Sequence, residues 1–300
     1  MARLGARSLV TLLVTGAQGQ IGKEICRAAA ERHVACRGLS KHELDVTNPE
    51  ALRRALAGVS TVVNCAAYTM VDRAEREPEK AFAVNRDGAR AVAAACAAAR
   101  IPLIHLSTDY VFDGRQNTPY QEDDPVSPLC VYGASKAAGE GAISGVLREH
   151  IILRTAWVFS PAGNNFVSAI VRAAQEKAVV GVVDDQFGGP TAASDIAAAV
   201  LSMYDSVQRD FNEWGVYHFC GAPGVTRYSF AAAILGKRFG TKLRPVKSAT
   251  TEAAARRPAY TMLGCSRIAR TFGILQPSWE EALRAMSVIP PMPQTPNGGQ

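Results

Sequence analysis

The sequence predicts an α/β fold with a doubly wound parallel sheet and a smaller α/β part toward the carboxyl end. Runs rich in β-branched residues alternate with alanine-rich segments of helical length through the first half of the chain, which is typical of strand–helix–strand units. Near-continuous apolar strands, such as residues 61–63, indicate strands that are covered on both faces. With 300 residues, 48% of them hydrophobic, the chain is long enough to bury a full-sized core.

The elements follow in order from this alternation. Strands are expected at residues 10–15, 34–39, 61–64, 103–107 and 151–154, with helices at 21–31, 49–57, 78–99 and 132–147. Residues 113–128 carry glycine, prolines and acids without an apolar period, which predicts a surface loop. Farther along we expect helices at 166–176, 194–203 and 228–239, strands at 178–183 and 216–220, and a loop at 184–191. The tail at 289–300, rich in Pro, Gly and Asn, is expected to be disordered.

Composition and charge exclude several classes of protein. The net charge of +6 includes no Lys/Arg block that would bind a nucleic-acid backbone, so no nucleic-acid partner is expected. No apolar run approaches about 18 residues, so we expect no membrane association through a spanning helix. The seven cysteines form no Cys-x-x-Cys pair, which favours reduced thiols in a cytoplasmic protein. The sequence shows no spacing of residues that predicts a metal site. Residues 9–15 lead into a glycine loop and predict a first strand rather than a signal peptide, behind a short disordered basic leader.

A glycine-rich turn joins the first predicted strand to the first predicted helix. Gly16, Gly19 and Gly22 stand three residues apart; they suit a tight turn, close approach to a pyrophosphate and close helix–strand packing, respectively. The start of this helix also offers unpaired N–H groups to phosphates. This context predicts a Rossmann-like, dinucleotide-binding domain over residues 1–158. A mainly substrate-binding domain is expected over 159–300, with segments that could return to the first.

The second predicted strand ends without an acidic residue. An NAD-selective site usually has Asp or Glu there, bound to the ribose 2′-hydroxyl. Ser40 and Lys41 occupy that end, and the lysine could meet a 2′-phosphate. NADPH is therefore the expected cofactor, with NADH as the alternative because Glu43 and Asp45 follow closely. Asp45 and Val46 are expected to form a short edge beside the adenine.

A tyrosine and a lysine stand four residues apart at the start of a predicted helix. Tyr132 and Lys136 would share one helix face. A free phenol has a pKa of about 10, and a nearby ammonium would lower the pKa of the phenol by favouring phenolate. The pair predicts a general acid/base, with an ordinary surface pair as the alternative.

Two hydroxyl residues end an apolar strand. Ser107 and Thr108 would emerge at the carboxyl edge of the sheet, where open α/β sheets bind ligands. A hydroxyl there can hydrogen-bond both a substrate carbonyl oxygen and the tyrosine phenol, while a strand-end cap is the alternative. The order of glycine loop, strand-end hydroxyls and Tyr–Lys pair indicates one site.

In these motifs the chain resembles the extended short-chain dehydrogenase/reductase superfamily and, within it, the dTDP-4-dehydrorhamnose reductase family. The glycine loop and the Tyr–Lys pair are common to the superfamily, whereas the segments around Trp157 and 185–191 narrow the resemblance. Matching segments lie between about residues 10 and 286 and include 15–22, 43–47, 64–69, 107–114, 132–136, 154–158 and 185–191.

The resemblance implies a reaction and a set of contacts. The reaction is NADPH-dependent reduction of the C4 ketone of dTDP-4-dehydro-β-L-rhamnose, for cell-surface polysaccharide. Tyr132 would protonate the carbonyl oxygen, Lys136 would hold the nicotinamide ribose, and Thr108 would hydrogen-bond the carbonyl. The resemblance implies cofactor contacts at Gly19, Gln20, Ile21, Asp45, Val46, Ala66, Ala67 and Tyr68 besides Tyr132 and Lys136. The residues themselves predict four more, at Gly16, Gly22, Ser40 and Lys41. The implied substrate contacts are Thr108, Asp109, Tyr110 and Trp157.

Two other functions stay open. One is a related reductase/epimerase that makes another activated deoxysugar. The other is a non-catalytic NADP-binding regulatory subunit, similar to the beta subunit that accompanies methionine adenosyltransferase. The intact Tyr132, Lys136 and Thr108 favour an enzyme, because a binding module has no need of a tuned phenol.

The remaining expectations concern partners and single residues. We expect a small-molecule nucleotide-sugar partner and a monomer or homodimer. The resemblance also implies Mg²⁺-bridged dimers in some members, through acids that this sequence does not assign, so no metal ligand is predicted. Asp185 and Gln186 fit a turn or a ligand contact. His105 is interpreted as strand packing; the surface or internally bonded histidines are expected to be His33, His42, His150 and His218.

Overall fold

A computed structural model describes residues 11–236 and 241–286, so the expected leader and the expected disordered tail lie outside the described residues. The strands are β1 (Thr11–Thr15), β2 (Cys36–Leu39), β3 (Val59–Asn64), β4 (Leu103–Thr108), β5 (His150–Thr155), β6 (Val158–Phe159), β7 (Val179–Val183), β8 (Phe187–Gly188), β9 (Thr191–Ala192), β10 (Gly215–His218), β11 (Val225–Thr226) and β12 (Lys242–Val246). The α-helices are α1 (Gln20–Glu31), α2 (Pro49–Ala55), α3 (Val71–Ala74), α4 (Pro78–Phe82), α5 (Ala89–Ala99), α6 (Val131–Ser144), α7 (Phe166–Glu176), α8 (Ala193–Val207), α9 (Arg227–Leu235), α10 (Ser266–Phe272) and α11 (Trp279–Ala285). A π-helical segment, Ala83–Gly88, joins α4 to α5.

The described residues contain one large parallel sheet, with strands in the order β10-β5-β4-β3-β1-β2. The side chains of β1 show why the strands of this sheet are apolar throughout. Leu12 and Val14 pack into the core on one face, with α1 and α8, whereas Leu13 packs into the core on the other, with α2 and α5. Because successive side chains point to opposite faces, a strand covered on both sides needs apolar residues at every position. The predicted Rossmann-like doubly wound fold is confirmed.

The part of the chain after residue 158 contributes to this sheet as well as to a smaller layer. Strand β10 pairs in parallel with β5, from Gly215 opposite Ile151 to His218 opposite Arg154. Short pairs build the smaller layer: β7 with β12, β8 with β11, and β6 with β9. This layer lies over the carboxyl ends of the central strands, so a cleft forms between the two.

Several predicted elements differ from the structure. The single helix expected at 78–99 is interrupted by the π-helical segment, and the loop expected at 184–191 contains the short strands β8 and β9. The strand expected at 216–220 ends at His218. Elements as short as β8 exist through pairing with distant residues, so their own sequence carries little signal. The last residues of the helix expected at 228–239 lie partly outside the described chain.

Among the described residues, no helix combines the length and apolarity needed to cross a lipid bilayer.

Candidate active site

A cavity of about 1520 Å³ lies in the cleft, over the carboxyl ends of β1, β3, β4 and β5. It gathers residues that are far apart in the sequence. The predicted site residues that line it are Gly16, Gly19, Gln20, Ile21, Gly22, Lys41, Asp45, Val46, Ala66, Ala67, Tyr68, Thr108, Asp109, Tyr110, Tyr132, Lys136 and Trp157. Ser40 is the predicted residue that does not line it.

The glycine loop packs so tightly that side chains are excluded at two positions. Gly16 has φ +66°, and a Cβ there would lie 2.7 Å from the Ala66 backbone nitrogen. A Cβ at Gly22 would lie 2.5 Å from the Gly16 carbonyl oxygen. Gly19 is the N-cap of α1 and offers no side chain to cap the helix. The first N–H groups of α1 therefore face the cavity with their partial positive charge, a geometry that suits a phosphate group.

The end of β2 differs from the prediction in two ways. The carboxylate of Glu43 folds back and accepts hydrogen bonds from the Ser40 backbone nitrogen at 2.8 Å and from its hydroxyl at 2.6 Å. This occupies the buried Ser40, so the structure does not bring it to the cavity. Lys41 is exposed at the cavity rim. No strand forms at Asp45 and Val46, where a short edge was expected. These residues lie in a turn that the Asp45 carboxylate closes onto Thr47.

Tyr132 lies in the first turn of α6, against the end of β4. A Cβ at Gly133 would lie 2.2 Å from the Tyr110 carbonyl oxygen, so glycine lets the helix approach the strand end. The Tyr132 phenol and the Thr108 hydroxyl both line the cavity, and the Tyr132 ring meets the Tyr110 ring edge-on at 5.6 Å. Thr108 in turn donates to the Asp109 carboxylate at 3.0 Å. The Tyr132 phenol can donate to a carbonyl oxygen in the cavity, and the Thr108 hydroxyl can do so once its single proton turns away from Asp109.

The pKa of Tyr132 is raised in this structure, whereas the sequence predicted that Lys136 would lower it. Burial raises the pKa of Tyr132 well above its ordinary value, because the phenolate would lose its water, although the Thr108 hydroxyl lowers the pKa of the phenol. Burial also lowers the pKa of Lys136 to about 8. The Lys136 amine is directed at β4, where Nζ donates to the Leu106 carbonyl oxygen at 2.6 Å and lies 3.0 Å from Nε2 of His105.

His105 is more than the strand packing that the sequence suggested. His105 and Ser107 stand two apart on β4, so they share one face, and they bond to Lys136 and Glu140, which stand four apart on α6. The sequence signal for these contacts was the alternation of side-chain direction along β4, which puts residues two apart on the same face. Buried His150 and His218 are internally bonded, to the carbonyl oxygens of Leu147 at 2.6 Å and Tyr120 at 3.0 Å respectively.

A half-buried cation in the carboxyl-terminal half of the cavity was not predicted. The guanidinium of Arg227, at the start of α9, lies over the ring of Trp157 and 5.0 Å from the centroid of Phe166. It also attracts Asp109, whose pKa burial raises to about 6. Arg227 stands about 70 residues beyond Trp157, so no local pattern could link them.

Polar contacts tie the two sides of the cleft together. Arg257 forms an ion pair with Asp72 at 2.6 Å, and the Gln20 side chain accepts a hydrogen bond from Ser160 at 2.7 Å. Of the two loop residues that the sequence left open, Gln186 lines the cavity, whereas Asp185 accepts hydrogen bonds from Ser248. Asp185 therefore joins its loop to Ser248 and does not line the cavity.

The chain is similar over most of its length to known proteins. Residues 10–288 match the family model "RmlD substrate binding domain". The dTDP-4-dehydrorhamnose reductase of Aggregatibacter actinomycetemcomitans is 38% identical over 287 residues, 92% of this chain and 98% of that protein. The enzyme of the same name from Sinorhizobium fredii is 40% identical, over 92% of this chain and 96% of that protein. The structure of a Bacillus anthracis dTDP-4-dehydrorhamnose reductase in complex with NADP superposes with a TM-score of 0.86 at 33% identity, covering 92% of this chain and 98% of that one.

Proposed function

The chain belongs to the RmlD substrate binding domain family, and from this premise we propose that it reduces the C4 ketone of dTDP-4-dehydro-β-L-rhamnose with NADPH, giving dTDP-β-L-rhamnose. Such an oxidoreductase supplies an activated deoxysugar for cell-surface carbohydrate. One observation carries the proposal: the glycine loop, the hydroxyl pair of Thr108 and Tyr132, and the half-buried Arg227 all line a single cavity.

The residues around the glycine loop fit a dinucleotide. The uncapped N-terminus of α1 suits a pyrophosphate. Gly16 packs closely against Ala66, and because it has no side chain, the backbone can approach the pyrophosphate. Lys41 at the rim supports a 2′-phosphate, and the two nearby carboxylates, Glu43 and Asp45, are engaged with Ser40 and Thr47 respectively. NADPH is thus favoured over NADH. When bound, the reduced nicotinamide supplies a hydride to the substrate carbon.

Tyr132 serves as the acid. As the ketone gains a hydride its oxygen becomes an alkoxide, and donors aimed at that oxygen stabilise the developing charge. The Tyr132 phenol is such a donor, and the Thr108 hydroxyl becomes one when its proton turns from Asp109 to the substrate oxygen. A raised phenol pKa keeps the proton on Tyr132 until the alkoxide forms, and an alkoxide is a far stronger base than a phenolate, so the transfer is downhill.

The carboxyl-terminal half of the cavity fits a sugar nucleotide. A diphosphate needs cations, and Arg227 and Arg257 both line this half. Trp157 and Tyr110 offer flat aromatic faces beside the hydroxyl pair, a common way to hold a sugar. These residues are the proposed substrate contacts, together with Thr108 and Asp109.

We also propose the organisation of the whole protein. Residues 1–158 form the cofactor domain and residues 159–300 mainly the substrate domain, with β10 as the segment that returns to the first. The protein acts in the cytoplasm as a monomer or homodimer. Mg²⁺ stays unassigned; within residues 11–236 and 241–286, no group of three or more His, Cys, Asp or Glu is placed to hold a metal ion.

The test is NADPH oxidation with dTDP-4-dehydro-L-rhamnose, compared with GDP- and UDP-linked 4-ketosugars. We expect turnover with the dTDP sugar and little with the others. Turnover with another ketosugar alone would move the assignment to a related deoxysugar reductase. NADPH binding without turnover of any of these sugars would indicate a regulatory subunit instead of an enzyme.

A further inference from the structure

Four polar side chains form a buried chain of hydrogen bonds behind the hydroxyl pair. Thr15 Oγ1 donates to Asn64 Oδ1 at 2.6 Å, and Asn64 Nδ2 lies 3.0 Å from His105 Nδ1. His105 Nε2 lies 3.0 Å from Lys136 Nζ, which also donates to the Leu106 carbonyl oxygen. The four side chains belong to residues no more than 2% exposed. With water excluded, each donor needs an acceptor within the chain itself.

The orientation of the Asn64 amide is fixed by a backbone group. The Ala66 N–H lies 3.1 Å from Asn64 Oδ1, and a backbone N–H can only donate. Turning the amide over would set its NH₂ group against that N–H. The amide oxygen therefore faces Ala66 and Thr15, and the NH₂ group faces His105. It follows that His105 Nδ1 accepts a hydrogen bond, so the ring carries its proton on Nε2.

The proton on His105 Nε2 points at the lysine nitrogen. An ammonium has three donors and no acceptor, whereas a neutral amine has a lone pair. A charged Lys136 would set donor against donor, either at His105 Nε2 or, with the ring proton moved to Nδ1, at Asn64. We propose that His105, oriented by Asn64, is a positioning residue that holds Lys136 as the neutral amine while the cavity is empty.

The other groups that face Lys136 do not favour its ammonium strongly. The Cys65 thiol lies in the loop after β3. Burial raises the pKa of this thiol to about 12, so it is uncharged at neutral pH. From its own helix come Tyr132, a neutral phenol, and Glu140, whose carboxylate is already paired with Arg154 at 2.7 Å. From β4 comes His105, whose pKa burial and Lys136 hold well below the ordinary value. Burial lowers the pKa of Lys136 in the same direction as the hydrogen-bond pattern.

The consequence for catalysis rests on the proposed function. A phenolate left on Tyr132 after proton transfer is stabilised by an ammonium, so the neutral amine must first gain a proton. Ribose hydroxyls of a dinucleotide offer oxygen acceptors that His105 Nε2–H does not. Cofactor binding is then coupled to the uptake of a proton by Lys136, and His105 sets how much is taken up.

The protonation state can be measured in the empty protein, with no cofactor or substrate. Trace acetic anhydride acetylates uncharged amines, and mass spectrometry of the Lys136 peptide against pH gives its midpoint, with exposed Lys80 as internal reference. His105→Gln offers an oxygen that accepts from the ammonium. Asn64→Asp pulls the ring proton to Nδ1 and frees Nε2 to accept. His150→Gln, which alters a buried histidine not bonded to Lys136, is the control.

We expect the wild-type and control midpoints at or below pH 8, and both test variants about one pH unit or more higher, a tenfold change in the protonation equilibrium. A midpoint that is the same in the wild type and in Asn64→Asp would overturn the proposal, even if His105→Gln failed to fold. This readout stands whether or not the protein reduces sugars.

Calorimetry of NADPH binding in two buffers of different ionisation enthalpy tests the coupling. Near pH 8, we expect the wild type to take up a larger fraction of a proton than Asn64→Asp or His105→Gln. Equal uptake in all three would refute the coupling. An absence of any binding heat in the wild type would refute NADPH as the cofactor, and with it the proposed function, while the labelling result would still decide the state of Lys136.

Discussion

The guanidinium carbon of Arg227 lies 3.5 Å from the centroid of the Trp157 ring. Trp157 has φ +45°, a left-handed backbone conformation that a bulky residue rarely adopts. Strained residues of this kind are often found at ligand sites. The pair sets a cation against an aromatic face in the half of the cavity proposed for the sugar diphosphate, where a desolvated cation attracts an anion strongly.

Replacing this cation should weaken binding of the sugar nucleotide. For Arg227→Gln we expect KM for the ketosugar to rise at least about tenfold, the loss of one charge-assisted hydrogen bond, with kcat within a few-fold and the Kd of NADPH unchanged. Steady-state kinetics and cofactor titration measure these quantities. Arg244→Gln, at an exposed position on β12, is the control. An equal rise of KM in both variants would argue against a specific contact.

Removing the phenol hydroxyl should abolish chemistry without removing the cofactor. For Tyr132→Phe we expect kcat to fall by about 10²–10⁴-fold, the usual contribution of general acid catalysis, while NADPH binds with near-normal affinity. Tyr120→Phe is the matched control, since its hydroxyl bonds to Asp113 at 2.8 Å and Tyr120 does not line the cavity. Unchanged turnover in Tyr132→Phe would eliminate it as the acid.

The cofactor preference should depend on Lys41. Its ammonium stands at the cavity rim, so in Lys41→Ala we expect the Kd of NADPH to rise about tenfold, while the Kd of NADH changes little, since NADH lacks the 2′-phosphate. Fluorescence titration with both dinucleotides measures the ratio. Lys23→Ala, on the exposed side of α1, should leave it unaltered. A parallel loss of affinity for both dinucleotides would point to a general electrostatic effect.

The buried ion pair of Glu140 and Arg154 should be important for stability. Their side chains are 8% and 5% exposed, so Glu140→Gln leaves the Arg154 charge buried without its counter-ion. We expect the free energy of unfolding to fall by about 3–5 kcal/mol, measured by urea denaturation followed by circular dichroism. Glu31→Gln removes an exposed partner of Arg27 and should cost less than about 1 kcal/mol. A similar small loss in both variants would contradict the burial argument.

The pH dependence of stability should report on Lys136. Its folded-state pKa of about 8 lies below the ordinary value of 10.5, so between these values the unfolded chain binds more protons than the folded one. Stability from this group therefore rises with pH. Relative to Lys136→Met, the wild type should gain about 2 kcal/mol from pH 7 to 9.5. A pH-independent difference between the two unfolding curves would show that the pKa of this lysine is unshifted.

Local sequence patterns predicted the parts of the site that depend on local geometry. Gly16 and Gly22 were recognisable because only glycine fits the contacts they make, and Tyr132 and Lys136 because helical spacing puts them on one face. Arg227 was missed because its partners lie on another element. The rise of the Tyr132 pKa was missed because spacing gives proximity but neither burial nor hydrogen-bond partners. The partners of Lys136 are His105 and Leu106, which belong to β4.

The pairing of β10 with β5 has a consequence for how the chain can be divided and made. Every residue of β5 is buried, so a fragment that stops at residue 158 would expose a hydrophobic strand edge with unpaired amides, which is a template for aggregation. During synthesis the same edge stays open until residues 215–218 have left the ribosome. A chaperone that protects nascent chains would therefore be expected to cover this strand edge.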